Sequence, residues 1–224
     1  MELPHGFWCS RFLYNVPAAV WNYRLGGYQV LKKWPSCRKH DVLGTQLRSD
    51  EIQHFIEASP VKPLAYIETS VVSYLTARQS RDVVVAAYQE MTREWWRTAS
   101  DRFDLVASEL VVTESEAGDA DAASARLEVL KPVTLLNITE NSEALTRVLL
   151  DLGAVPHQAA ADAAHIAIAV TNGVDYLVTW NFKHIANAAM RARIERVCRR
   201  TGYEPPVICS PNELMESEHA DDTT

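Results

Sequence analysis

The chain has 224 residues, 47% of them hydrophobic, with 22 basic against 29 acidic side chains and a formal net charge of -7. That length suits one ordinary domain with an appendage, and the apolar fraction marks a globular chain rather than a disordered one. The acidic balance excludes a protein that coats nucleic acid indiscriminately, since such proteins are basic overall, but it leaves room for a local basic face. Cys9, Cys37, Cys198 and Cys209 are scattered without CxxC spacing. This argues against a disulfide framework or a zinc site and for a reducing, cytoplasmic setting. Arg11 and polar breaks interrupt the N-terminus where a secretory signal needs an apolar core, and no stretch is long enough to span a membrane.

Residues 1–58 form an appendage of different character. It is rich in tryptophan and tyrosine (Trp8, Trp21, Trp34, Tyr14, Tyr23, Tyr28), holds the Gly26-Gly27 pair, and shows no strand–helix alternation. Pro60 and Pro63 mark a linker over 59–63. From Leu64 to 210 apolar strands and helices alternate. The expected order is strand 64–67, helices 71–76 and 82–99, and strand 103–107 with Ser108 as a helix N-cap. Helices 109–117 and 121–131 come next, then strand 133–138 and a helix 140–152 ended by Gly153. Pro156 sets a helix start near His157, Asn172-Gly173 stops that helix, and strand 176–180 leads to Asn181. A helix over 185–200 and an edge strand at 205–209 complete the domain. An acidic tail over 211–224 is expected to be disordered. Near-continuously apolar strands between helices argue for an α/β fold with a mostly parallel sheet.

Ligands of open parallel sheets collect at the carboxyl ends of the strands, and there the sequence places acids. Glu68 closes the first strand. Glu114 lies on the helix after the second, with apolar neighbours Leu110, Val111 and Ala117 at helical spacing, so it faces inward. Asp162 sits in an alanine- and isoleucine-rich helix, three residues before His165 and on the same face. With a helix start at His157 it falls in the second turn, too late to cap. Asn181 closes the fourth strand. Three inward carboxylates at close range need a cation, and oxygen donors without thiolates favour Mg²⁺ or Mn²⁺. Each acid alone is explained as well by an arginine partner or a helix cap. His165 reads as a buried, hydrogen-bonded histidine or as a group orienting a ligand. Trp180 and Trp95-Trp96 read as packing, with base stacking as the alternative.

Three stretches, YIETSVVSYL (66–75), SELVVTESEAGD (108–119) and DAAHIAIAVTNGVDYLVTWNFKHIAN (162–187), resemble the PIN-domain ribonucleases, the family that includes VapC-like toxins of type II toxin–antitoxin pairs. The resemblance covers roughly residues 63–214. It implies a three-layer α/β/α fold, metal-dependent cleavage of single-stranded RNA, frequent homodimers and a small antitoxin partner. It matches Glu68, Glu114 and Asp162 to the family's metal-binding acids, with Glu68 in place of the commoner Asp. Asn181 stands where a fourth Asp is usual, which puts a second metal ion in doubt and makes Asn181 a neutral ligand or water-positioner. Lys183, Arg191, Arg193, Arg196, Arg199 and Arg200 oppose only Glu195 between 183 and 200. They form a candidate RNA face, an antitoxin-masked face, or a solvated helix surface.

Residues 16–34 and 41–55, VPAAVWNYRLGGYQVLKKW and DVLGTQLRSDEIQHF, resemble the C-terminal end of the specificity region in type ISP restriction–modification enzymes. Nothing of a methyltransferase or translocase accompanies them, so the expectation is a severed fragment fused to the nuclease-like chain, or a retained DNA contact. A non-catalytic nucleic-acid- or partner-binding module and a degenerate fusion product are the alternatives to a ribonuclease.

Overall fold

The computed structural model describes residues 62–215, together with the backbone of two antiparallel strands, Val20–Leu25 (β1) and Tyr28–Lys33 (β2). The readings placed elsewhere in residues 1–61 and beyond 215, including Cys9, Cys37, most of the restriction–modification-like stretch and most of the tail, lie outside the described residues. The chain divides into two compact units, Met1–Ser59 and Pro60–Thr224.

The second unit is an α/β domain around a five-stranded parallel sheet, ordered β5-β4-β3-β6-β7. Its strands are Leu64–Ile67 (β3), Asp104–Ser108 (β4), Thr134–Leu136 (β5), Tyr176–Val178 (β6) and Val207–Cys209 (β7). Parallel neighbours need crossovers, and helices supply them. These are Thr69–Thr76 (α1), Val83–Arg102 (α2), Glu109–Ser115 (α3), Ala120–Leu130 (α4), Glu140–Asp151 (α5), Ala160–Thr171 (α6) and Ala188–Arg200 (α7). Helix α1 packs on α2, α3 and α4, while α5 packs on α6 and α7. Between them β3 is shielded on both faces, with Ala65, Tyr66 and Ile67 fully buried. That double burial is why the strand reads as an unbroken apolar run.

Caps set where the helices begin. Asp82 accepts from the backbone N–H groups of Val84 and Val85 at the head of α2, and Asn187 accepts from Ala189 at the head of α7. Thr139 and Ser142 bond reciprocally in a capping box at the head of α5. Gly153 and Gly173 follow α5 and α6 with φ of 62° and 66°, the left-handed conformation that closes a helix end at least cost when the residue is glycine.

Of the boundaries that differ from expectation, four bear on the site or on the tail. Helix α6 begins at Ala160 after a 3-10 turn at His157–Ala159, so Asp162 lies in its first turn rather than its second. Strand β6 stops at Val178, and Asn181 lies three residues beyond it, because Thr179 and Trp180 are drawn into bonds with the ends of other elements. Helix α7 starts at its cap Asn187 rather than at Ile185. The first part of the expected disordered tail is ordered. Pro211–Leu214 form a 3-10 turn in which Glu213 accepts from the Ser210 backbone N–H at 2.8 Å. Arg102 of α2 also donates to the Leu214 carbonyl at 2.7 Å.

Candidate functional site

The chain runs outward from β3 to β4 and β5, then returns to β6 on the other side of β3. The sheet therefore has its topological switch point between β3 and β6, where ligands of such sheets bind. The registers pair Tyr66 with Val106 and Ile67 with Val178, so one residue further along Glu68 is level with Ser108 on one side and Thr179 on the other. The polar residues that end these strands meet at this edge.

Glu68 is buried yet has no basic partner among the described residues. Its carboxylate accepts instead from the Ser70 hydroxyl and from Thr179 Oγ1, the latter at 2.6 Å. Ser70 sits in the first turn of α1, where an extended Glu68 leads into the helix. The same Ser70 oxygen accepts from the Trp180 backbone N–H at 2.8 Å, which ties the end of β6 to the start of α1. Thr179 also accepts from Asn181 N at 2.9 Å. A buried carboxyl held only by neutral hydroxyls has no counter-charge beside it among the described residues, an arrangement that a cation would suit.

Glu114 lies inward on α3 as its helical neighbours predicted, while Thr113 and Glu116 are exposed. Its Oε2 accepts from the Thr69 hydroxyl and meets His165 Nε2 at 3.0 Å. The His165 side chain is only 1% exposed. Its other nitrogen, Nδ1, lies 2.8 Å from the Tyr66 hydroxyl, which is 2.7 Å from Ser108 Oγ. One direction of donation satisfies this whole row. Ser108 donates to Tyr66, Tyr66 to Nδ1, and Nε2–H to Glu114. Burial raises the Glu114 carboxyl, but the imidazole contact and the Thr69 hydroxyl more than offset it, so its pKa falls below the usual value. Burial dominates at Tyr66, whose phenol is raised and stays protonated. Ser108 was expected to cap α3; it occupies the N-cap position, but its hydroxyl is spent on Tyr66.

Asp162 caps no backbone amide despite its first-turn position, so the conclusion that it is not a cap survives the shift in helix start. Its Oδ1 accepts from Asn181 Nδ2 at 2.9 Å. Burial raises its pKa, His184 lowers it, and the nearby charges of Glu68 and Glu114 raise it further. Asn181 holds the turn that follows: its Oδ1 accepts from His184 N at 3.1 Å and its carbonyl from Ala186 N at 2.8 Å.

The structure thus brings Glu68 and Glu114 together at one strand end with His165, Thr69, Ser70 and Thr179, and sets Asp162, bonded to Asn181, outside that close group but near enough to feel the charge of both acids. Carboxylate oxygens of Glu68 and Glu114 and a ring nitrogen of His165 lie within 4.8 Å of one another. Two carboxylates at that spacing fit a small divalent ion held by oxygen donors, while both ring nitrogens of His165 are taken up by Glu114 and Tyr66. The hydroxyl residues were missed as site members. The signal available was their position: Thr69, Ser70 and Thr179 each fall within three residues of a strand end that also carries a candidate ligand.

The expected basic face is partly consumed by the fold. Arg193 donates to the Gly153 carbonyl at 2.7 Å, fastening α7 to the end of α5. Arg199 pairs with Glu195 at 3.1 Å and Glu204 at 3.3 Å, and Arg191 is half-buried. Lys183, Arg196 and Arg200 are exposed and have no ion pair among the described residues. No helix among the described residues is long and apolar enough to cross a membrane. No family model, curated protein or solved structure matches the chain.

Proposed function

We propose that this protein is a metal-dependent endoribonuclease that cleaves single-stranded RNA and serves as the toxin of a type II toxin–antitoxin pair. The observation that carries the reading is the gathering of three acids near the switch point of a parallel sheet, with Glu68 buried and unmatched by any lysine or arginine among the described residues. Glu68, Glu114 and Asp162 are the residues that would hold Mg²⁺ or Mn²⁺, with Asn181 orienting Asp162. Such an ion supplies a water activated at neutral pH and neutralises charge on the phosphate being cleaved. Thr69, Ser70, Thr179 and Asn181 fix the carboxylates before substrate arrives, and His165 keeps Glu114 ionised. The resemblance to PIN-domain proteins adds the RNA substrate, an antitoxin partner and a homodimer, and the scattered cysteines add a cytoplasmic setting. Buried free thiols at Cys198 and Cys209 accord with a reducing compartment.

The test is cleavage of a single-stranded RNA with Mn²⁺, with chelator, and by Asp162→Ala. Cleavage should need the ion and fall at least a hundredfold in the variant; cleavage that survives chelator would refute the assignment. One observation favours a second reading. Glu114 and Asp162 already have internal partners in His165, Thr69 and Asn181, which is what a non-catalytic binding module would show. Salt-sensitive RNA binding without turnover in any divalent ion would select that reading.

A further inference from the structure

Beside the acids lies an aromatic group that the metal chemistry does not use. Trp180 is buried, and its indole N–H donates to Thr92 Oγ1 at 2.7 Å, so the ring is fixed in plane and depth. Tyr88 of α2 stacks on it with centroids 4.4 Å apart and planes 23° off parallel, and Tyr74 of α1 leans on the same ring at 6.1 Å. Phe182 stands at the outer edge of this stack. It meets Trp180 edge-on at 5.9 Å and Tyr88 at 5.9 Å, yet 42% of it is exposed. A phenyl ring braced by two aromatics and left open to water is a preformed stacking surface.

Two bonded links join this group to the acids. The Trp180 backbone N–H donates to Ser70, whose hydroxyl donates to Glu68. Phe182 follows directly on Asn181, whose side chain donates to Asp162. Exposed cations and an apolar side chain lie on the segments adjoining this group in the chain. Lys183 is exposed next to Phe182, and Arg78 and Arg81 are exposed on the loop before α2. Gln89, the residue after Tyr88, holds that loop by donating to the Arg78 carbonyl at 3.0 Å and accepting from Ser80 N at 2.9 Å. Val84, 58% exposed, lies one helical turn before Tyr88 and extends the apolar strip.

We propose that Phe182, braced by Tyr88 and Trp180, is the platform on which a base of single-stranded RNA stacks while the neighbouring phosphodiester reaches Glu68, Glu114 and Asp162. Lys183, Arg78 and Arg81 meet the flanking phosphates. Aromatic platforms beside positive charge suit single strands because every base offers a ring face, whereas a duplex hides its bases. The assignment rests on the ribonuclease reading and adds to it the group that selects unpaired nucleotides.

The experiment measures binding of two labelled oligoribonucleotides of equal length and charge, one with bases and one abasic, in chelator so that nothing is cleaved. The full-length protein should bind the base-bearing strand about tenfold or more tighter than the abasic strand. Phe182→Ala should lose that preference while binding the abasic strand as before, and Phe182→Trp should keep it. Base preference retained in Phe182→Ala overturns the platform. So does a Phe182→Ala protein that changes from dimer to monomer with unchanged affinities, which would make the strip an interface between copies. Base preference dependent on Phe182 without any Mn²⁺-dependent cleavage would instead remove the nuclease reading and leave the platform standing.

Discussion

Glu114 and Asp162 are both half-buried acids, and their surroundings push them in opposite directions. Glu114 is held below the ordinary carboxylate range, so its ionised form stabilises the fold above that range, and the gain is lost as pH falls through its lowered pKa. Asp162 is raised, so its protonated form stabilises the fold at low pH, and that gain is lost as pH rises through the raised value. In chelator at pH 7.5, Glu114→Gln should therefore melt below the parent, by about 1–3 kcal/mol for a lost charge-assisted hydrogen bond. Asp162→Asn should melt at or above it, since an amide oxygen can still accept from Asn181. Both differences should shrink on acidification; a less stable Asp162→Asn at pH 7.5 would contradict the account. Tyr66→Phe leaves His165 Nδ1 and Ser108 Oγ without their buried partner and should cost about 1–3 kcal/mol in chemical denaturation. The residue types at Glu68, Glu114 and Asp162 were legible in the sequence. The row from Ser108 through Tyr66 and His165 to Glu114 was not, because its members are 42, 99 and 51 residues apart in consecutive pairs.

Among the elements, order and type were legible and most ends were not: β3 lies where expected, the other strand ends differ by one or two residues, and α6 and α7 begin three residues later than expected. A helix carries its own signals, such as Asp82, Thr139, Asn187 and the glycines after α5 and α6, all acting within a few residues. A parallel strand's end depends on partners far along the chain. Strand β6 is held in the sheet to its end by the Glu68 N–H on the Val178 carbonyl and the Thr179 N–H on that of Cys209, and it stops where the side chains of Glu68 and Ser70 engage Thr179 and Trp180. The turn over 181–187 is built the same way, from Asn181 at its head to Asn187 as the cap of α7. Asn187→Ala should cost about 1 kcal/mol, the usual value for a lost N-cap, in thermal or urea unfolding. If Asn187 only caps α7, RNA cleavage should stay within about twofold of the parent; a larger loss would show that it also sets the turn that carries Asn181.

At the scale of the molecule, the second unit holds the sheet, the acids and the aromatic stack within itself. A chain beginning at Pro60 should therefore melt cooperatively, within a few degrees of the full-length protein, and retain Mn²⁺-dependent cleavage. A loss of cooperativity would show that Met1–Ser59 completes the fold. Burial pushes the Cys198 thiol up to about 11 and that of Cys209 to about 12. Both should resist a thiol reagent at pH 8 in the native protein and react fully in denaturant.

By itself the sequence determined the α/β class, the order of the helices, the glycines that end two of them, and which acids face inward. Those properties follow from apolar periodicity and from contacts made within a turn or two of chain. Only the tertiary structure decided that Glu68 sits level with Ser108 and Thr179, that Asn181 holds Asp162, and that Phe182 is open while Trp180 beside it is buried. Each of these depends on strand register and crossover packing, which join residues far apart in the chain and leave no local pattern to read.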